Sequence, residues 1–143
     1  MNGPIDRSKV RVLLMDTNIE TCQEILAVLC NCSYQVIPVW QAPEVHEVLM
    51  NFSGTEIDII LAEAGLLMAN NAQIMTFIMH TKVLRNIPVI MLSRQEDISM
   101  VMKGLKLGAA DYLMKPIHFS ELSNIWKHTV ERCIISSKNL ATL

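Results

Sequence analysis

The sequence has little charge and few aromatic side chains. Charged residues make up 18% of its 143 positions and aromatic residues 5%, whereas an average soluble domain is about 25% charged. Hydrophobic residues make up 51%, which excludes a disordered chain. The formal net charge is only −2, so the basic surface of a DNA- or RNA-binding domain is also missing. This length favours one domain with its own hydrophobic core.

Long hydrophobic runs and recognisable ligand motifs are missing as well. The longest early apolar run, Val12–Met15, is far shorter than the roughly 20 residues of a membrane span. The four cysteines do not have the spacing of a zinc site, and the four histidines fall on separate predicted elements. No glycine-rich phosphate-binding loop is present. We therefore expect free thiols, no metal, no cofactor, no membrane contact and a reducing intracellular compartment.

Five short apolar runs recur along the chain and predict β-strands. They are Val10–Met15, Gln35–Val39, Ile57–Ala62, Pro88–Leu92 and Asp111–Met114. Four of them are almost continuously apolar rather than alternating. This pattern is typical of strands that are buried on both faces of a parallel sheet.

The segments between these runs have the spacing of amphipathic helices. In the fourth segment, for example, Ile98, Val101, Met102 and Leu105 form the expected inner face. Strands alternating with helices predict an α/β domain of (βα)5 type with right-handed crossovers. We expect an N-terminal tail at 1–8, the domain at 9–135, and a linker or C-terminal tail at 136–143.

Polar residues follow four of the predicted strands where those strands end. They are Asp16, Thr17, Glu63, Ser93 and Lys115. In an open parallel sheet, ligands bind beyond the carboxyl ends of the strands. Two acids, two hydroxyls and a lysine at this edge therefore indicate a candidate site.

These residues resemble the receiver domain of two-component response regulators over positions 9–135. The run Gly108–Pro116, which ends in Lys-Pro, is a specific match. The resemblance implies a five-stranded, flavodoxin-like doubly wound sheet with strand order 2-1-3-4-5. It also implies that Asp16 is the first acid of the family's metal-binding pair. Ser93 and Lys115 match the hydroxyl and the lysine that contact the phosphoryl group, and Tyr112 matches the aromatic that changes rotamer on activation.

Two departures from this pattern affect the expected function. Thr17 stands where the family has a second Mg²⁺-binding acid, and Glu63 stands where it has the phosphoacceptor Asp. Mg²⁺ requires near-octahedral oxygen ligands, and in-line attack requires closely placed reacting atoms. We therefore expect a degenerate pocket without metal, phosphotransfer or catalysis. We also expect Glu63 to pair with Lys115, in a fixed version of the phosphorylated contact.

Glu at the acceptor position is typical of plant pseudo-response regulators. Several stretches resemble the type found in the evening loop of the circadian clock: Ile5–Leu14, Cys32–Val36, Ile57–Glu63 and Ile87–Gln95. The resemblance implies a nuclear transcriptional regulator, with the cytoplasm left open as a location. Its receiver-like domain would mediate protein association without phosphorylation and without touching nucleic acid. The family's basic CCT domain lies far downstream in a longer chain, and no such segment is present here.

The fourth helix, fifth strand and fifth helix form the usual partner surface of receivers. Its candidates here are Met100, Lys103, Lys106, Tyr112, Glu121 and His128. An ordinary solvated face explains the same residues equally well. The expected partners are a second copy in a homodimer, other pseudo-response regulators, and transcription factors.

Two other functions stay open at this point. One is a genuine phosphoacceptor receiver in a phosphorelay, using Asp16 and an unconventional acceptor. The other is a small flavodoxin-like enzyme or nucleotide-binding protein, for which the first strand lacks a phosphate-binding turn.

Overall fold

Five strands and five α-helices alternate along residues 6–51 and 56–129, the part of the chain that the computed structural model describes. The strands are β1 (Arg11–Met15), β2 (Gln35–Val39), β3 (Ile59–Glu63), β4 (Val89–Ser93) and β5 (Asp111–Met114). The helices are α1 (Ile19–Asn31), α2 (Ala42–Asn51), α3 (Ala64–His80), α4 (Ile98–Leu107) and α5 (Phe119–Ser123). All four strand pairs are parallel, in the order β2-β1-β3-β4-β5. The predicted fold class and strand order are confirmed.

Each face of the sheet is covered by its own hydrophobic core. In β1, Val12 and Leu14 pack with residues of α1 and α5, whereas Leu13 and Met15 pack with residues of α2, α3 and α4. All four side chains are at most 1% exposed. Burial on both faces explains why the strand sequences are continuously apolar rather than alternating.

The predicted inner face of α4 is partly wrong. Ile98 and Met102 are 44% and 51% exposed, although both have the spacing of a buried stripe. The helix instead turns Val101 and Gly104 toward the sheet. A Cβ atom at Gly104 would collide with the sulfur of Met91, so the glycine permits α4 to lie close to β4. Because α4 lies close to β4, the only fully buried residues of this helix are the small Val101 and Gly104.

Helix α3 contains an irregular turn near its first third. Ala69 is extended, and Asn70, Asn71 and Ala72 have φ values of 54°, 58° and 58°. Non-glycine residues adopt this left-handed conformation at a cost of about 1–2 kcal/mol each, and asparagine does so more readily than alanine. The turn separates the segment that follows β3 from the main part of α3.

The C-terminal part of the domain is held by a buried tyrosine. Tyr34 is 4% exposed, and its hydroxyl donates to the carbonyl of Ser123 at 3.0 Å and accepts from the amide of Trp126 at 3.3 Å. Helix α5 ends at Ser123, although turn-type backbone bonds continue through Thr129.

The predicted ends of the domain are only partly visible. A 3-10 turn at Arg7–Lys9 precedes β1, and the Arg7 guanidinium donates to the Cys32 carbonyl at 2.9 Å. The expected end of the domain near 135 and the tail at 136–143 lie outside the described residues. None of the described helices has both the length and the hydropathy needed to cross a membrane.

Replacing Tyr34 with Phe tests this tether. The change removes both hydrogen bonds and should lower the free energy of unfolding by about 1–2 kcal/mol, measured by urea denaturation.

The effect of Tyr34→Phe on the free energy of unfolding should also depend on pH. Burial raises the pKa of Tyr34 from its ordinary value of 10.0 to about 12, so folding favours the neutral phenol. Its contribution is complete below pH 10 and is lost as pH rises through about 12. The stability difference between wild type and Tyr34→Phe should therefore shrink over this range. A difference that stays constant would contradict the assignment.

Candidate functional site

The five predicted strand-end residues meet at one edge of the sheet. Glu63 and Ser93 end β3 and β4, while Asp16, Thr17 and Lys115 follow β1 and β5 directly. Parallel strands bring their carboxyl ends to the same edge. Asp16 and Ser93 are 0% and 2% exposed, the only buried polar residues among those described.

Asp16 has hydrogen-bond donors on both carboxylate oxygens. Oδ1 accepts from the Asn18 amide at 2.9 Å. Oδ2 accepts from the Thr21 hydroxyl and from the Lys115 ammonium, each at 2.9 Å. The ammonium also donates to the Thr21 hydroxyl oxygen at 3.2 Å. A carboxylate removed from water is stable only with such compensation, so this cluster satisfies Asp16 without a metal ion.

The expected pairing of Glu63 with Lys115 is wrong. Among the described residues, the Lys115 ammonium forms its ion pair with Asp16. Glu63 bonds to Thr17 instead. Its Oε2 accepts from the Thr17 amide at 3.1 Å and from the Thr17 hydroxyl at 2.9 Å. An unpaired negative charge would cost more free energy on the buried Asp16 than on the half-buried Glu63. The lysine therefore pairs with Asp16.

The Thr17–Glu63 contact explains the two departures from the receiver pattern together. A carboxylate at position 17 would face Glu63 with like charge at hydrogen-bond distance, and a cation would have to separate the two. The threonine hydroxyl supplies a proton there instead. The neutral residue and the longer acid therefore form one complementary pair.

A small cleft remains between these groups. It has a volume of about 30 Å³ and is bordered by side chains that include Glu63, Ser93, Arg94 and Lys115. This is room for one or two water molecules. The Ser93 hydroxyl is buried and has no hydrogen-bond partner among the described residues.

The residues of this edge do not fit a magnesium site. Mg²⁺ takes six oxygens at octahedral angles and usually binds through carboxylates and water. Here Asp16 already accepts from three donors, and Thr17 and Glu63 bond each other. No group of three His, Cys, Asp or Glu side chains in the described ranges is arranged to hold a metal.

Sequence analysis missed two members of the cluster. Asn18 caps α1, since its side chain accepts from the Thr21 amide at 3.2 Å, while its own amide binds Asp16. Thr21 lies in the first turn of α1 and joins Asp16 to Lys115. The N-cap pattern Asn-x-x-Thr before an apolar stripe was the available signal, because it points the first helical turn at the strand end.

Five of the six predicted interaction residues border one of two cavities, and the sixth, Tyr112, lies in β5 between them. Met100, Lys103 and Lys106 line a groove beside α3, and the half-buried Tyr112 packs on the core of that same face. Glu121 and His128 border a separate cavity of about 320 Å³ near α5. The His128 ring there lies 3.3 Å from the Asp111 carboxylate. The edge strand β5 lies between the two groups and belongs to the predicted face itself, so the use of these residues as one partner surface stays a prediction.

Comparison with known sequences shows the family. Residues 6–127 match the family described as "Response regulator receiver domain". The chain is 49% identical over 131 residues to "Two-component response regulator-like APRR1" of Arabidopsis thaliana, covering 92% of this chain and 21% of that protein. It is 46% identical over 128 residues to "Two-component response regulator-like PRR1" of Oryza sativa subsp. japonica, covering 90% and 24%. The predicted resemblance to plant pseudo-response regulators is confirmed.

Solved structures show the same fold at low sequence identity. Full-length FixJ from B. japonicum superposes with a TM-score of 0.77 at 15% identity, covering 93% of this chain and 63% of that one. A receiver domain protein from Clostridium thermocellum gives 0.71 at 21% identity, covering 92% and 98%. The match to the family over residues 6–127 and the shared fold lead to one conclusion: the chain belongs to the response regulator receiver domain family.

Proposed function

We propose that this domain is a phosphorylation-independent protein-association module of a transcriptional regulator of the plant circadian clock, without enzymatic activity. The observation that carries this proposal is the Thr17–Glu63 hydrogen bond beside the Asp16–Lys115 ion pair. Together they engage, within the protein, four of the five strand-end groups that correspond to a receiver's metal and phosphoryl site. The fifth, the Ser93 hydroxyl, has no partner among the described residues. A domain that cannot be switched by phosphate still offers its surfaces to partners.

The wider biological setting is part of the same proposal. The similar plant proteins are named response regulator-like, and this chain spans 21% and 24% of the length of those two. We propose a nuclear location, with the cytoplasm as the alternative. The proposed partners are a second copy, other pseudo-response regulators or transcription factors, and nucleic acid is not bound by this domain.

The alternative is a genuine phosphoacceptor receiver. It is favoured by the retention of Asp16, Ser93 and Lys115 at one edge of the sheet. It is disfavoured by Glu63, which is one methylene longer than the family's acceptor and whose Oε2 is bonded to the amide and hydroxyl of Thr17.

Phosphorylation in vitro separates the two functions. Incubated with acetyl phosphate and Mg²⁺, the wild-type chain should show no added phosphoryl group by intact mass. The acceptor position holds the longer Glu63, and the bond of its Oε2 to Thr17 holds the carboxylate away from the geometry that in-line attack needs. The double variant Thr17→Asp/Glu63→Asp restores the receiver pattern and should gain one such group. Modification of the wild-type protein would support the alternative instead.

Changing Thr17 alone tests the complementary pair. Thr17→Asp places a carboxylate against Glu63 and should lower the free energy of unfolding by about 1–3 kcal/mol. Added Mg²⁺ should restore part of this loss by binding the folded state, as followed by thermal denaturation with and without the ion. The matched control Thr17→Val removes the donor without adding charge, so it should be mildly destabilised and insensitive to Mg²⁺. A wild-type protein that Mg²⁺ stabilises would show that the site still binds metal.

Lys115 should act here as a structural cation. Lys115→Met leaves Asp16 buried and unpaired, which should lower the free energy of unfolding by about 3–5 kcal/mol. The control Lys82→Met removes an exposed lysine and should be nearly neutral. The double variant Asp16→Asn/Lys115→Met should recover much of the loss, measured by urea denaturation as a double-mutant cycle. Simple additivity of the two single changes would rule out the ion pair as a stabilising unit.

A further inference from the structure

A groove runs along α4 on the side that faces the irregular turn of α3. Its volume is about 640 Å³, and it is lined by Met68, Asn71, Ala72, Ser99, Met100, Lys103, Lys106 and Leu107. We call it the α4 groove. Both charged residues in its lining are lysines, and neither forms an ion pair within the described part of the chain. The α4 groove therefore combines an apolar floor with an uncompensated positive rim.

Helix α2 presents the opposite pattern on its outer side. Glu44, Glu47 and Met50 follow one another at three-residue spacing. The two glutamates are exposed, and Met50 is the most exposed of the large hydrophobic residues described, at 71%. Neither glutamate forms an ion pair in the described residues. We call this stripe the α2 ridge.

The two patterns match in spacing and in charge. Residues three apart on an α-helix are separated by about 4.5 Å along its axis, so both patterns repeat at the same distance. If α2 of one molecule lies antiparallel to α4 of another, Glu47 meets Lys103 and Glu44 meets Lys106. The same register places Met50 against Met100. Antiparallel helices also align their dipoles favourably.

One molecule cannot satisfy both patterns by itself. Helices α2, α3 and α4 lie on the same face of the sheet, and α3 packs against both of the others. The α2 ridge and the α4 groove are therefore held on either side of α3 in each copy, and a second copy is needed to bring them together.

We infer that the partner of the α4 groove is the α2 ridge of a second copy of this chain. The inference rests on the proposed association function and specifies one partner for it. The contact that we infer joins each pair of copies once, so it is head-to-tail and leaves a free ridge at one end and a free groove at the other. Further copies add to these ends. The contact is distinct from a symmetric pairing through α4, β5 and α5, which does not involve α2.

The physical character of the contact follows from its residues. Exposed ion pairs contribute little and are screened by salt, and the apolar part consists mainly of methionines, which adapt to varied surfaces. Association should therefore be weak, rise with protein concentration and fall in high salt.

Two double-alanine variants, each of which removes the charges of one surface, test the inference. One is Glu44→Ala/Glu47→Ala, which disables the ridge, and the other is Lys103→Ala/Lys106→Ala, which disables the groove. All four side chains are exposed, so both variants should fold with the wild-type melting temperature. The 143-residue chain and both variants are examined by sedimentation velocity over a range of concentrations and at low and high NaCl.

The expected results differ for each sample. The wild-type chain should form species larger than a dimer, and each variant alone should be monomeric. An equimolar mixture of the two variants should form a 1:1 heterodimer and nothing larger, because one intact ridge and one intact groove remain. As a further check on the apolar part, Met50→Lys should weaken assembly of the otherwise wild-type chain.

Three outcomes would overturn the inference: a monomeric wild-type chain, a wild-type dimer that the α2 substitutions leave intact, or a mixture that does not associate. Each is distinguishable from failure of the proposed function. A monomeric chain that acetyl phosphate does not modify would refute this contact and leave association with other proteins standing. A chain that is phosphorylated, and whose assembly changes with the phosphate mimic beryllofluoride and Mg²⁺, would refute phosphorylation independence.

Discussion

The buried ion pair between Asp16 and Lys115 determines how the rest of the site is arranged. Asp16 is fully removed from solvent, so its charge must be compensated inside the protein. Once Lys115 and Thr21 provide this compensation, the lysine has its partner and Glu63 must find other donors. Thr17 supplies two of them. The network at the edge of the sheet is therefore closed by internal hydrogen bonds.

Under the proposed function, closure of this edge by internal hydrogen bonds separates the fold from the usual switching chemistry of receivers. A receiver fold places its functional groups at the carboxyl ends of its strands, and this chain keeps that placement. What has changed is the charge balance, since one acid is replaced by a hydrogen-bond donor. Part of the low charge content of the sequence is therefore located at this edge of the sheet, where Thr17 stands in place of an acid. Under the proposed function, a site whose two facing acids would need a cation between them is held instead by the Thr17–Glu63 hydrogen bonds.

The sequence predicted the fold well because burial on both faces leaves a strong signal. The continuous apolar runs of β1, β3 and β4 located the strands within two residues, and the strand-end residues followed from the rule for parallel sheets. The exposed Ile98 and Met102 were mistaken for core because helical spacing does not show that Gly104 brings α4 close to the sheet. The irregular turn at 70–72 had only a partial signal in the sequence, since Asn70 and Asn71 favour a positive φ whereas Ala72 rarely adopts one.

The sequence predicted which residues form the site better than it predicted which of them pair with each other. Spacing along the chain showed that Glu63 and Lys115 share an edge, but not which acid would take the lysine. That choice depends on relative burial, and burial is a property of the folded chain.

The most direct measurement of the central claim is an amide NMR titration with Mg²⁺. The Thr17 amide is bonded to Glu63 and the Asn18 amide to Asp16, so both report on the carboxylates that a metal would bind. If the site is closed by internal hydrogen bonds, neither resonance should move as Mg²⁺ is raised to and beyond physiological levels. Saturable shifts of both resonances would show that the carboxylates still bind metal and would contradict the account.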